Sequence, residues 1–173
     1  MNAAELKEKF AAMSAGDMTA FEEIYNHLKT PVFTIIFRIT RDTSSSEDLL
    51  QEVFIKIYQS PYSPKIDNPR AYLFQTAHNL AVDFVRKQPQ FADLASLDSL
   101  IYLPAADLTA KIDVEQAMKA LPLQVCQIVS LRINGELKFR EIADMLSLPL
   151  GTVLWKYQKA IKQLRIALSG GAV

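Results

Sequence analysis

Few residues in this sequence have the chemistry of a catalyst. His27 and His78 stand apart, with no Cys, Asp or Glu set at ligand spacing, so no metal site is expected. Cys126 is the single cysteine, which excludes an intramolecular disulfide, fits a reducing cytosol, and reads as core among Val125, Ile128 and Val129. A Gly-rich phosphate loop is missing, as is a Cys–His or Ser–His arrangement with supporting spacing. Neither an enzyme nor a cofactor protein is expected. The residues with something to offer are binding groups. In "LSLPLGTVLWKYQKA", Leu146 to Ala160, a turn leads into a helix. Trp155 on that helix lies about 200° around from the apolar Val153 at 100° per residue. Lys159 and Lys162 fall on the same side as Trp155, and residues 149–168 hold four bases (Lys156, Lys159, Lys162, Arg165) and no acid. A solvated basic face explains the lysines but not an exposed Trp. Phosphate contacts beside an apolar contact to a thymine methyl explain both. A protein partner covering Trp155 explains both as well.

The elements that position these groups read as helices throughout. Leu, Ile, Ala, Lys, Gln and Glu dominate, half the chain is hydrophobic, and only five glycines occur. Residues 18–40 carry Phe21, Ile24, Tyr25, Leu28, Val32, Ile35, Ile36 and Ile39 at three-to-four spacing, with Pro31 expected to kink the helix or start a new one. "SSSEDLLQEVFIKIYQ" predicts a helix over 46–59, capped by Ser45 or Ser46, with acids in its first turn and Leu49, Leu50, Val53, Phe54 and Ile57 as its buried stripe. "SPYSPKIDNP" reads as loop. "RAYLFQTAHNLAVDFVRKQ" reads as a third helix, with Leu73, Phe74, Ala77, Leu80, Ala81, Phe84 and Val85 inward. Residues 89–112 lack a sustained period and read as a linker. Helices over 113–120, 122–133, 138–146 and about 149–168 follow, with "NGE" as a turn and "SLP" closing a helix-turn-helix. On the last helix, Val153, Tyr157, Ala160, Ile161, Leu164 and Leu168 form the core face. The expected fold is all-α: two small helical domains, 1–88 and 113–173, joined by a linker, the second containing the helix-turn-helix.

Charge separates the same parts. Residues 1–88 hold 10 Lys/Arg against 11 Asp/Glu, residues 89–112 hold 1 against 3, and residues 113–173 hold 8 against 5. The total is zero, so only the C-terminal third suggests nucleic acid. No apolar run nears the roughly 18 residues of a membrane span, and the amphipathic, charged N-terminus does not read as a signal peptide. A cytoplasmic protein is expected.

Taken in order, these segments resemble the extracytoplasmic-function sigma factors, two-domain initiation subunits of bacterial RNA polymerase. "SSSEDLLQEVFIKIYQ" resembles the helix with which that family binds core polymerase, "NPRAYLFQTAHNLAVDFVRKQ" its promoter-melting helix, and "LPLQVCQIVSLRINGELKFREIADMLSLPLGTVLWKYQKAIKQLR" its C-terminal DNA-binding domain. The likeness covers nearly the whole chain. It implies core-polymerase contacts by Asp48, Leu49, Gln51, Glu52 and Phe54. It implies minus-ten DNA contacts by Lys65, Asp67, Asn68, Tyr72, Asn79, Asp83, Arg86 and Lys87, with Asp83 holding Asn79. It implies minus-thirty-five contacts by Lys138, Arg140, Gly151, Thr152, Leu154, Trp155, Lys156, Lys159 and Lys162. Its partners would be core RNA polymerase, promoter DNA and an anti-sigma factor. The chain departs from the family pattern at Ser147, where Gly is common, at Pro149, and at Leu154 and Trp155. Ser147 would be strained if its position needs positive φ. The alternative is a partner-dependent adaptor or regulator whose C-terminal domain has turned from DNA to protein; Trp155 is the feature that favours it.

Overall fold

A computed structural model describes residues 1–59, 68–88 and 114–169. Eight helices form in these segments: α1 (Ala3–Ser14), α2 (Met18–Thr40), α3 (Thr43–Gln59), α4 (Pro69–Lys87), α5 (Val114–Lys119), α6 (Leu123–Ile133), α7 (Phe139–Leu146) and α8 (Leu150–Ser169). The all-α expectation holds. The linker, and with it "SPYSPKID" before Asn68, lies outside the described residues.

α1 is an element the sequence reading did not identify. Asn2 caps it: its side chain accepts from the Glu5 N–H at 2.9 Å while Glu5 reaches back to the Asn2 N–H. Its apolar residues Leu6, Phe10 and Met13 are buried. Pro31 does not divide α2. The helix runs through it, losing one N–H donor. Burial of Leu28, Val32, Ile35 and Ile36 on both sides of the proline outweighs that loss. α3 begins three residues earlier than expected, because Asp42 and not a serine caps it. The Asp42 carboxylate accepts from the Ser45 N–H at 2.7 Å. The hydrogen bonds from Ser45 hold that carboxyl below its usual pKa. Ser46 is fully buried, and its hydroxyl pairs with Thr40 Oγ at 2.7 Å. Glu47 and Asp48 therefore lie beyond the first turn, where the helix dipole gives them little.

One apolar core runs through both halves of the chain. Leu6, Ile24, Val53 and Phe74 from α1–α4 share it with Ile128, Leu131, Ile142 and Val153 of the C-terminal helices, and with Leu137 from the turn between α6 and α7. A smaller cluster of Ala117, Met118, Leu121, Cys126, Val129, Ala160 and Leu164 holds α5, α6 and α8 together. Among the described residues, three polar ties cross between the halves. The buried Arg38 donates to the Ser130 hydroxyl and, at 3.2 Å, to Asn134 Oδ1. Arg70 Nη1 pairs with Glu136 at 2.9 Å. Asn68 Nδ2 donates to Glu141 Oε1 at 2.7 Å.

The helix-turn-helix is built as the sequence suggests. Arg132 lies 4.9 Å over the Phe139 ring and donates to the Leu137 carbonyl, which fixes the turn. Phe139 meets Tyr157 edge-on at 4.9 Å, which fixes α7 on α8. α7 ends at Ser147, whose φ of 53° is left-handed, with the Leu148 N–H returning to the Ala143 carbonyl at 2.9 Å. Within "NGE", the left-handed residue is Glu136, with φ 54°, and not the glycine. Gly135 serves another need: a Cβ there would stand 2.6 Å from the Leu131 carbonyl oxygen.

Candidate nucleic-acid and polymerase interfaces

Three helix faces carry the candidate residues. On α3, Asp48, Gln51 and Glu52 are exposed, as a binding role requires. Leu49 and Phe54 are not. Both are buried against the core, Phe54 in edge contact with Tyr25 at 4.8 Å. The apolar groups on the surface are instead Ile55 and Tyr58. Ile55 stands one turn beyond Gln51 and could have been found by rotating the buried stripe half a turn. Beside this face lies a groove of about 360 Å³ lined by Tyr25, Lys29, Thr30, Phe33, Glu47, Leu50 and Gln51.

On α4, Asn79, Asp83, Arg86 and Lys87 are exposed, and Tyr72 is half-buried. Phe74 is wholly buried, which settles it as core; Leu80 and Phe84, expected inward, are only half-buried. Asp83 does not hold Asn79. Asn79 Oδ1 accepts from Gln75 Nε2 at 2.9 Å, one turn earlier. Asn68 is the α4 N-cap, accepting from the Arg70 N–H at 3.0 Å and the Ala71 N–H at 3.3 Å. Lys65 and Asp67 lie outside the described residues. His78, Asn79, Asp83 and Arg86 line a cleft of about 500 Å³ whose far wall is Leu123, Gln124, Gln127, Met145, Leu146 and Ser147. His78 is buried there, and neither ring nitrogen has a hydrogen-bond partner. Burial pushes its imidazole below the usual pKa; the neighbouring Asn79 side chain opposes the shift, and the Arg86 charge adds to it.

On α8, Val153, Ala160 and Leu164 are buried, and Tyr157 and Ile161 half-buried, as the wheel predicts. Leu168 departs from it: in the last turn of α8 it is exposed. Trp155 is 58% exposed, with Lys159 Nζ 5.0 Å over its ring. Lys162 is exposed, and so are Lys138 and Arg140 at the start of α7. Gly151 is exposed with open space around it, Thr152 half-buried beside it. Two residues fit the surface less well: Leu154 is half-buried, and Lys156 turns back to hydrogen-bond Gln124 on α6. Among the described residues no group of His, Cys, Asp and Glu could hold a metal, and no helix is long and apolar enough to cross a membrane.

The helices thus carry an acidic face on α3, a polar face on α4 and a basic face on α8, and residues 24–90 match the Sigma-70 region 2 family. ECF RNA polymerase sigma factor SigK of Mycobacterium tuberculosis is 28% identical over 169 residues, across 88% of this chain and 87% of that protein. SigW of Bacillus subtilis is 26% identical over 177 residues, across 92% and 95%. The fold is also that of the sigma factor RpoE in complex with the anti-sigma factor NepR from Bartonella quintana. That likeness has a TM-score of 0.64 at 16% identity, over 86% of this chain and 96% of that one. CnrH in complex with the cytosolic domain of CnrY gives 0.64 at 17%, over 97% and 99%. The curated relatives to which this chain is similar over most of its length are thus extracytoplasmic-function (ECF) RNA polymerase sigma factors. Sigma factors are regulatory proteins and not enzymes.

Proposed function

We propose that this chain directs promoter-specific initiation through a division of labour between residues 1–88 and 113–173. The exposed row Asp48, Gln51, Glu52 and Ile55 on α3 docks on core polymerase, with Leu49 and Phe54 fixing the helix from behind. Asn68, Asn79, Arg86 and Lys87, with Tyr72 and Asp83, meet the minus-ten strand, where an unstacked base offers its edge to an amide. α8 meets the minus-thirty-five duplex. There Lys159, Lys162, Lys138 and Arg140 contact phosphates, Gly151 and Thr152 allow close approach to the backbone, and Trp155 makes the apolar contact. The single observation that carries the reading is an exposed polar row inside the segment matched to Sigma-70 region 2, followed by an exposed basic row on a helix-turn-helix. The chain works in the cytoplasm, where polymerase and chromosome are.

The test is transcription in a purified system. Core bacterial RNA polymerase, this chain and fragmented DNA from its own source are incubated, and RNA starts are mapped. Starts sharing two upstream elements support the reading, and Trp155→Ser redistributes them if the ring helps choose the distal element. A chain that binds core and starts nothing fits the adaptor reading, which the exposure of Trp155, Ile166 and Leu168 favours. An anti-sigma partner is proposed as well, on the precedent of RpoE with NepR.

A further inference from the structure

We infer that Gln75 is a positioning residue for base choice: it turns the Asn79 amide so that the N–H donors face the strand, and the face therefore favours a keto base, thymine or guanine, over an amino base, cytosine or adenine. The inference deepens the assignment of Asn79 to the minus-ten strand and rests on it. An asparagine by itself has no preference of this kind. Its flat amide offers an acceptor on one side and two donors on the other, and a half-turn about the last side-chain bond exchanges them. Two observations on α4 remove that freedom. Gln75 stands one turn before Asn79, and its Nε2 donates to Asn79 Oδ1 at 2.9 Å. The Asn79 side chain also favours the charged form of the adjacent, buried His78 ring, against the effect of burial. Only the amide oxygen does that to a cation; the N–H donors would do the opposite. Both neighbours thus meet the same end of the amide, the acceptor, and Nδ2 with its two hydrogens is left for a partner.

The rest of the face is laid out for the same task. Tyr72, Gln75, Asn79 and Arg86 fall within about 60° of one another around α4 at 100° per residue, with Tyr72 and Arg86 each about 10 Å along the axis from Asn79. Asn79 and Arg86 are exposed, and Tyr72 and Gln75 are half-buried. A ring, an amide pair and a guanidinium therefore stand in a row. Stacking on a ring and a phosphate on a guanidinium are nearly indifferent to the base. The amide is the group in this row whose direction decides which base edge fits. Thymine offers O4 and guanine O6, both acceptors, where cytosine offers its N4 amino group and adenine its N6 amino group, both donors. An amide presenting donors pairs with the first two and meets the last two donor to donor. Glutamine at position 75 is what this needs. A leucine would leave the Asn79 amide free of that tie, and a glutamate, which only accepts, would draw Nδ2 to itself and send Oδ1 outward. The bias from one exposed amide pair a turn apart is about twofold.

The test reads base choice and not affinity. Full-length chain on core bacterial RNA polymerase is mixed with a library of random-sequence single-stranded 20-mers, and the bound strands are sequenced. The wild-type pool should contain a position enriched in T and G, and Asn79→Ala should flatten it. Gln75→Leu should lower the keto-to-amino ratio at that position about twofold. Gln75→Glu should carry the ratio below one, in favour of A and C. The added charge of the glutamate weakens binding of all strands alike, and Asp83, an acceptor one turn beyond Asn79, acts equally in every variant, so neither moves the ratio. Glutamine, leucine and glutamate are all good helix formers, so α4 tolerates each of them at this half-buried position. A wild-type ratio in both Gln75 variants overturns the positioning role. A position that depends on Asn79 yet is enriched in A and C overturns the amide's orientation while the assignment of Asn79 stands. If Asn79→Ala leaves the pool unchanged, the assignment fails and takes the inference with it.

Discussion

Two single residues carry costs that the rest of the chain offsets. Ser147 holds φ 53° at the end of α7, a conformation that costs an L-residue about 1–2 kcal/mol and a glycine almost nothing. Glycine gives back part of that gain through its looser unfolded state, by about 0.4–1 kcal/mol. Ser147→Gly should therefore stabilise by about 0.5–1 kcal/mol and raise the melting temperature by about 1–4 °C in a chain of this size, read by calorimetry. No gain would mean the serine is not strained. His78 carries the second cost. Its folded pKa lies below the unfolded value of about 6.5, so the native state prefers the neutral ring. That stability is fully present above pH 6.5 and is lost as pH falls through 6.5 toward the folded pKa, because the unfolded chain takes up the proton first. Melts from pH 8 to pH 5 should show a loss that His78→Leu reduces. An unchanged slope in the variant would place the acid sensitivity elsewhere.

At the scale of the helix, legibility followed from whether a signal is local. The periods of α2, α3, α4 and α8 are written in runs of apolar residues, and the structure returns those helices with boundaries moved by at most a few positions. α1 escaped because its stripe is only Leu6, Phe10 and Met13 in a segment read for targeting and not for packing. Ser147 was legible as a departure from a family pattern, and its left-handed φ bears out the condition under which strain was expected. The cap of α3 was not, since Asp42 and three serines compete for one role and only the chain's path decides among them. Face assignments are testable by helix. Asp48→Lys or Glu52→Lys on α3 should weaken core-polymerase binding with little change in melting temperature, measured by titration of labelled chain. Leu49→Ala, deleting a buried side chain, should instead cost about 2–5 kcal/mol of stability. On α8, Lys159→Ala should weaken promoter binding and lower the slope of log affinity against log salt by about 0.9. A slope equal to wild type would make Lys159 a partner of the Trp155 ring alone.

The whole molecule is where sequence reading had least to say, because what joins the halves is long-range. Arg38 meets Ser130 and Asn134 across 92 and 96 positions, and Asn68 meets Glu141 across 73. No local period announces such pairs, and composition divides the chain into two charged parts just where the structure joins them in one core. That joint core has a thermodynamic consequence. Leu131 and Ile142 belong to the same buried cluster as residues of α1–α4, so melting of either half should expose surface of the other. Unfolding should be a single transition in which helix content and fluorescence of the lone tryptophan, Trp155, change together. Leu131→Ala should cost about 2–5 kcal/mol and move both signals equally, by about 2–4 °C per kcal/mol. Cutting the polar ties between the halves should weaken the coupling. With Glu136→Gln and Asn134→Ala the tryptophan, reporting on α8 with the small cluster of α5 and α6, should melt apart from the bulk of the helix signal, which comes from α1–α4. Coincident curves in wild type and separated curves in the double variant would tie the coupling to those few contacts. Separated curves in wild type would mean the shared core does not couple the halves in solution.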